Sequence, residues 1–292
     1  MIIEKCKSAA RALSLCGLAT LGGCSAYMPL LGPKGPIGAA EKTTMLTAVG
    51  LMLIVVIPVF VLTFLIAWRY RASNKKATYA PNWSYSGKIE LVVWLVPALI
   101  VLALGRLTWD TTHALSPYKP LVSTRQPIRI DAVAMNWKWL FIYPDQHIAT
   151  VNEVVFPKDT PVSFRLTSQT VMASFFIPRL GSQIYAMPGM RTKLHLLADQ
   201  AGTYVGRNFQ FSGRGYSSMH FQAVATSQQG FQAWVSKVRA SQSKLDPATL
   251  RALEQPSRGM AVTYYGSVPP DLFDHIIDQF VMANAMRPKS HA

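Results

Sequence analysis

Two long apolar stretches constrain this chain more than any other feature of its sequence. Thr43 to Trp68 contains no charged residue, and Ile89 to Leu107 is a second, mostly apolar stretch. Each is long enough for a helix of about 20 residues that crosses a lipid bilayer. Pro58 and Pro97 interrupt the stretches, which neighbouring helices tolerate in a membrane. The sequence therefore predicts a two-helix transmembrane hairpin over residues 43–109, rather than a buried hairpin in a soluble protein.

The charges around the two stretches predict their orientation. The loop that joins them has no acidic residue before Glu90 and contains five basic residues: Arg69, Arg71, Lys75, Lys76 and Lys88. Short loops rich in Lys and Arg stay on the cytoplasmic side of a membrane. We therefore expect a two-pass protein of a bacterial inner membrane, with its N-terminus and everything after Trp109 in the periplasm.

The N-terminus has the layout of a signal peptide. Three basic residues precede the apolar segment Leu13 to Leu21, and small residues then lead to Cys24. This layout resembles a bacterial lipobox, in which the cysteine thiol takes a lipid and becomes the first mature residue. We predict a lipoprotein signal peptide over residues 1–23, lipidation of Cys24 and a linker over residues 24–42. An uncleaved N-terminal helix is the alternative.

The cysteines and the net charge exclude several functions. All three cysteines lie at or before Cys24, so the rest of the chain has no disulfide, thiolate nucleophile or thiolate metal ligand. The formal net charge is +15, but its basic residues are scattered, with no basic helix and no aromatic-interleaved stripe. We therefore expect no binding to nucleic acid.

The chain after the second apolar stretch changes to short segments with alternating polarity, typical of an all-β domain. We predict a sandwich or barrel over residues 122–226. Its clearest strands are Ile128 to Val133, Val162 to Thr167, Lys193 to Leu197 and Met219 to Ala225.

The pattern becomes helical after Gln229, and we predict a helical C-terminal arm over residues 229–285. Phe231, Trp234, Val235 and Val238 share one helix face. Asp246-Pro247 is a typical helix start, with Asp as N-cap, and Pro269-Pro270-Asp271 precedes a third helix. Residues 286–292 are predicted to be a disordered tail.

Three long segments resemble subunit II of the haem–copper oxidases, and most closely that of the cytochrome bo-type ubiquinol oxidases. They are Asn136 to Pro144, Ser174 to Met190 and Val268 to Phe273. The resemblance implies a cupredoxin-like sandwich for the β domain. It also implies a complex that oxidises quinol, reduces oxygen to water and pumps protons. Its haems and copper are expected in the partner subunit I, and membrane lipid and further oxidase subunits are the expected partners.

The copper centre of the cytochrome c-oxidising relatives is missing from this sequence. Soft thiolates bridge the two copper ions there, with histidine and methionine as further ligands. The corresponding positions hold Phe211 and Gly215 for the cysteines, Met219 and Ala173 for the histidines, and Gln222 for the methionine. We therefore predict no metal site, no cofactor in this chain and no electron transfer from cytochrome c.

Other candidate residues have simpler interpretations. His195 and His220 are expected to be ordinary strand residues rather than metal ligands. Trp137 and Trp139 lie two residues apart, hence on one strand face, and are expected to pack in a core or interface. No catalytic set such as Ser-His-Asp is evident, so the chain itself is predicted to have no catalytic residue.

Glu90 is the one residue for which the resemblance implies a role in proton movement. It lies at the cytoplasmic end of the second apolar stretch, where carboxylates are functional candidates. In haem–copper oxidases, a subunit II glutamate at this place lies at the mouth of a proton-uptake pathway into subunit I. A hydrated carboxylate or one paired with Lys88 is the alternative.

Three functions remain open on these grounds. The first is the non-redox subunit II of a ubiquinol oxidase, assembled with subunit I. The others are subunit II of a cytochrome c oxidase, which the absence of copper ligands disfavours, and a membrane-anchored lipoprotein that acts as a binding module. Whether ubiquinol or menaquinol is the donor also stays open.

Overall fold

A computed structural model describes residues 28–78 and 80–285. The signal segment 1–23, Cys24 and the tail 286–292 therefore lie outside the described residues. The chain divides into two compact units: the residues up to Ala40 together with Pro117 onward, and Glu41 to Ser116.

Two long helices account for the predicted spans. Helix α1 is Pro36–Arg69 and helix α2 is Gly87–Ala114, and both are long and apolar enough to cross a membrane. Helix α1 begins at Pro36 rather than Thr43, so the end of the predicted linker 24–42 is helical. Proline favours the first turn of a helix because its ring fixes φ and its missing N–H needs no partner there.

The β domain consists of two sheets. The strands are β1 Ile128–Met135, β2 Lys138–Tyr143, β3 Ile148–Val151, β4 Glu153–Pro157, β5 Val162–Ser168, β6 Ala173–Phe176, β7 Gln183–Ala186, β8 Thr192–Leu196, β9 Gly202–Arg207, β10 His220–Thr226 and β11 Thr263–Tyr265. Sheet A has the order β11-β3-β2-β1-β5-β8, and sheet B has the order β4-β10-β9-β6-β7. Most pairs are antiparallel, but β1 pairs with β5, and β4 with β10, in parallel.

An aromatic cluster forms the core of the domain. Trp139, Phe141, Phe164, Phe175 and Phe221 are all buried. Neighbouring rings lie about 5 to 6 Å apart in tilted, edge-on or stacked arrangements, the geometries that aromatic pairs prefer. Phe164 and Phe221 lie on two of the strands predicted from the sequence, whereas the other three rings lie on β2 and β6.

The C-terminal arm covers one face of sheet A but is not wholly helical. Its helices are α3 Gln228–Arg239, α4 Pro247–Glu254 and α5 Leu272–Ala285. The arm is helical as predicted, but it also contains a short strand, because β11 lies between α4 and α5 and pairs with β3. The β-branched and aromatic residues of Thr263-Tyr264-Tyr265 favour a strand, and the open edge of β3 supplies its hydrogen bonds.

The predicted start of α4 is confirmed. Asp246 is the N-cap, and its side chain accepts a hydrogen bond from the Thr249 N–H at 2.8 Å. Leu250 and Leu253 of α4 then pack with Phe273 and Ile276 of α5 in a second buried cluster against sheet A. The arm therefore gives sheet A a second core on its outer face.

Candidate functional site

The loop between β9 and β10, residues 208–219, holds most of the positions that carry copper ligands in the cytochrome c-oxidising relatives. Met219 is buried, and so is Ala173 at the start of β6. Phe211 is exposed, and Gln222 is an exposed residue of β10 whose N–H donates to the Asn152 carbonyl oxygen at 2.9 Å. These four positions therefore carry side chains with different surroundings.

Asn208 fastens this loop to the domain through hydrogen bonds. Its Oδ1 accepts from the backbone N–H groups of Ser174 and Gln210, each at 2.9 Å. Its Nδ2 donates to Ser212 Oγ at 3.2 Å and to Met219 Sδ at 3.4 Å. The buried amide thus links β6, next to Ala173, to both ends of the loop. Asn208 was not singled out from the sequence, because no local pattern marks an asparagine whose partners are distant in the chain.

Trp137 closes the other side of the loop. Its indole N–H donates to the Ser212 carbonyl oxygen at 2.8 Å. A Cβ on Gly215 would lie 2.2 Å from the indole ring, so only glycine allows this approach. Ring and glycine therefore pack directly against each other where a cysteine stands in the copper-binding relatives.

The expectation that Trp137 and Trp139 share one strand face was wrong. Trp137 is the second residue of the two-residue turn between β1 and β2, with φ of 65°. That conformation is unfavourable for a non-glycine residue, and the contacts with Ser212 and Gly215 offset its cost. Trp139 packs in the core, which is one of the two places, core or interface, that the sequence analysis predicted for it.

The copper centre that this fold implies does not fit the residues present. The donor set offers no thiolate, and the Met219 sulfur already accepts a hydrogen bond from Asn208. Across residues 28–78 and 80–285, no group of three or more His, Cys, Asp or Glu side chains comes together in a way that could hold a metal ion. The loop is therefore held by Asn208 and Trp137, and we derive no electron-transfer step through it.

His195 and His220 occupy strands, as expected. His195 lies in β8 and is half-buried, while His220 is exposed at the start of β10. Burial, and then the charge of Lys193, lower the pKa of His195 below its ordinary value of 6.5.

The C-terminal arm accepts hydrogen bonds from residues at the same β1–β2 turn. Buried Lys138 donates from Nζ to the carbonyl oxygens of Leu253 and Gln255, each at 2.7 Å, and Asn136 Nδ2 donates to the Glu254 carbonyl oxygen at 3.0 Å. These are the carbonyls left unpaired at the end of α4. Burial lowers the pKa of Lys138. No pattern in the sequence indicates this role, since a lysine in a strand usually faces solvent.

A second set of contacts fastens α5 to sheet A. Asp131 is buried and accepts from Arg165 Nε at 2.6 Å and from its Nη2 at 2.5 Å. Burial raises the pKa of Asp131, and the Arg165 guanidinium opposes that shift. Arg165 also lies 4.8 Å from the centre of the Phe273 ring, and Arg191 pairs with Asp274 of α5. The arm is therefore held to sheet A by charged as well as apolar contacts.

Glu90 lies in the first turn of α2. Its side chain is exposed, and its backbone N–H donates to the Ser86 carbonyl oxygen at 3.0 Å. Among the described residues, Glu90 forms no ion pair with Lys88. Cys24, the predicted lipidation site, lies outside the described residues.

Two family models match the domain and the arm. The model described as cytochrome c oxidase subunit II, periplasmic domain, matches residues 128–226, and the model described as the COX aromatic-rich motif matches residues 239–284. Together with the two apolar helices and the two-sheet domain, they define the class as an oxidase subunit II with a cupredoxin-like domain.

Curated relatives match almost the whole chain. The cytochrome bo(3) ubiquinol oxidase subunit 2 of Pseudomonas aeruginosa is 55% identical over 92% of this chain and 80% of its own length. The ubiquinol oxidase subunit 2 of Acetobacter aceti is 48% identical over 94% of this chain and 91% of its own length. The chain therefore belongs to the ubiquinol oxidase subunit 2 family of the haem–copper oxidases.

A solved structure covers part of this chain. The periplasmic domain of subunit II of the Bradyrhizobium japonicum cytochrome oxidase covers 40% of this chain and 96% of its own, at 21% identity and a TM-score of 0.38. The family assignment rests on the curated relatives and the family models.

Proposed function

We propose that this chain is the non-redox subunit II of a proton-pumping ubiquinol oxidase that reduces oxygen to water. It assembles with a catalytic subunit I, which holds the haems and copper. The observation that carries the proposal is the loop 208–219, which Asn208 and Trp137 hold without any thiolate. Such a domain has no route for electrons from a soluble carrier, so the donor must reach another subunit from the lipid.

The two helices support the proposed membrane location. Their apolar side chains are exposed over both α1 and α2, which only lipid or other membrane helices can cover. The basic loop 69–88 favours the cytoplasmic side. The N-terminus and the β domain then lie in the periplasm of the inner membrane, with a lipid on Cys24 as a further anchor.

The choice of donor is tested on the native complex. We expect oxygen consumption with ubiquinol and none with reduced cytochrome c. Basic residues outnumber acidic ones after Trp109, so a basic cytochrome c is repelled rather than steered. A haem spectrum of the same sample establishes the complex. Rapid, salt-sensitive oxidation of cytochrome c would overturn the proposal.

Glu90 is proposed as a proton-entry residue for subunit I. An exposed carboxylate in the first turn of α2 can take a proton from water and release it inward without a large movement. It contributes no redox chemistry, so its effect is on the rate of turnover alone.

Substitution of Glu90 tests this role in the native complex. We expect Glu90→Ala to slow ubiquinol turnover several-fold with haem content unchanged, and Glu90→Asp to be milder. The matched control is Asp110→Ala at the other end of α2, where Asp110 is an exposed residue paired with Arg106. Wild-type turnover of Glu90→Ala across the pH range would show that Glu90 is only an interfacial carboxylate.

Lipidation is tested separately by intact mass spectrometry of the mature chain. We expect the chain to begin at Cys24 with an added diacylglycerol. A mature N-terminus at Met1 or an unmodified Cys24 would refute it, while the two helices would still suffice for anchorage.

A further inference from the structure

A cavity of about 560 Å³ lies on the outward face of β9. Residues of a strand alternate between its two faces, so Thr203, Val205 and Arg207 point outward while Tyr204 is buried toward the core. Arg179 lies in the lining beside them, and the lining contains no Asp or Glu. The lining is therefore basic, and the charge of Asp199, outside the lining, acts on the Tyr204 hydroxyl together with that of Arg179.

The two arginines that line this cavity have no carboxylate partner among the described residues, a state they share with several other arginines of the domain. Arg129, Arg165 and Arg191 each pair with a carboxylate, whereas in the described part of the chain neither Arg179 nor Arg207 forms an ion pair. A guanidinium presents a planar set of donors that matches the oxygens of a phosphate. A phosphate group is accordingly the anion that suits this cavity.

Beside the two arginines, the lining contains the hydroxyl residues Thr203 and Tyr204 and an apolar part. Val205 is 48% exposed and Phe209 is 56% exposed, and Pro29 and Pro178 complete this part of the lining. A free phosphate ion gains nothing from such surface, since its oxygens all need polar partners. A phospholipid, in contrast, has apolar atoms next to its phosphate.

The path of the chain connects the cavity with the membrane anchors. The Lys34 N–H donates to the Arg179 carbonyl oxygen at 2.7 Å, and the Gly38 N–H donates to the Leu180 carbonyl oxygen at 3.0 Å. Lys34 and Gly38 lie shortly before the apolar part of α1. Pro29 follows Cys24 by only five residues, which is at most about 17 Å of extended chain. The cavity is therefore tied by short chain segments to the start of a membrane helix and to the predicted lipid.

We propose that this cavity binds the headgroup of an anionic phospholipid, with Arg179 and Arg207 on its phosphate and the apolar lining against its glycerol and upper acyl carbons. The inference rests on the membrane location proposed above and not on the oxidase activity. The headgroup would be that of the periplasmic leaflet, and it would hold the β domain close to the bilayer.

The test uses the full chain in detergent, without partner subunits. Dioleoyl-phosphatidylglycerol or dioleoyl-phosphatidylcholine is titrated into the micelles, and bound lipid is counted by native mass spectrometry. We expect phosphatidylglycerol to bind about tenfold more tightly, because each basic residue near a lipid surface adds to the attraction. The double variant Arg179→Gln/Arg207→Gln should lose this preference, and Arg207→Gln alone, at an exposed position, should lose part of it.

The matched control removes the same charge elsewhere. Arg214→Gln/Arg251→Gln changes two exposed arginines outside the cavity and should keep the preference. Three results would overturn the proposal: an undiminished preference in the cavity variant, an equal loss in the control, or displacement of the lipid by inorganic phosphate at equal concentration and constant ionic strength. If the cavity variant instead keeps lipid and loses a partner subunit from the native complex, the cavity is a protein docking surface and the lipid assignment is wrong.

Discussion

The outer face of sheet A and the surfaces of α1 and α2 have the same apolar chemistry and opposite surroundings. Phe273 of the arm is 2% exposed against sheet A, whereas Phe64 of α1 is 70% exposed. In the first region the chain covers its own apolar surface with α4, α5 and β11. In the second it covers almost nothing. The outer face of sheet A is thus buried by the chain itself, whereas the surfaces of α1 and α2 need lipid or other subunits to cover them.

The largest expected effect tests the arm directly. Phe273→Ala should lower the free energy of unfolding of the β domain by about 3–5 kcal/mol, because it removes a fully buried ring. The same change at Phe64 should leave that free energy within about 0.5 kcal/mol. Denaturant titration of the full chain in detergent, followed by tryptophan fluorescence, measures both. Equal losses would break the distinction between the two regions.

Two ion pairs extend the comparison to charge. Asp131→Asn should cost roughly 3 kcal/mol, because it leaves the Arg165 guanidinium without its charged partner in a mostly buried place. Asp110→Asn removes the exposed partner of Arg106 on α2 and should cost at most about 1 kcal/mol. The same titration compares them, and a loss at position 110 as large as that at 131 would contradict the assignment of burial.

Adding one methyl group at a glycine compares the packing of the β domain with that of α2. Gly215→Ala should cost about 1–3 kcal/mol, since its Cβ would overlap the Trp137 ring. Gly105→Ala on α2 meets nothing within 4 Å and should be neutral. A shift in tryptophan emission should accompany the first change and not the second. If Gly215→Ala folds with wild-type stability and emission, Trp137 does not clamp the loop.

The smallest effect is a dependence on pH. Because burial lowers the pKa of His195, the folded state binds fewer protons than the unfolded state just below pH 6.5. The free energy of unfolding should therefore rise with pH through that window and level off above it. His195→Gln should flatten this slope. An unchanged slope in His195→Gln would assign it to other groups.

Features that repeat along the chain could be predicted from the sequence. The apolar stretches became α1 and α2, and alternating polarity placed β1, β5, β8 and β10 within a few residues of their ends. The loss of the bridging cysteines could be read from the sequence alone, because Phe211 and Gly215 stand at their positions. The start of α4 at Asp246-Pro247 was likewise local.

Features that depend on distant partners could not be predicted. Lys138 is buried because α4 ends over it, and Asn208 bridges segments that only the fold brings together. Trp137 lies two residues before Trp139, the spacing of one strand face, yet it lies in a turn. Its contacts with Ser212 and Gly215 offset the cost of its positive φ. In each case the residue type was unremarkable, and the decisive atoms belonged to another part of the chain.

The last strand of sheet A has a consequence for how the protein is made. β3 ends at Val151, and β11, which closes its edge, begins only at Thr263, so more than a hundred residues are synthesised between them. Until then the unpaired N–H and C=O groups of β3 can pair with a strand of another molecule. The hazard for this domain is therefore association between unfinished copies, rather than instability of the finished one.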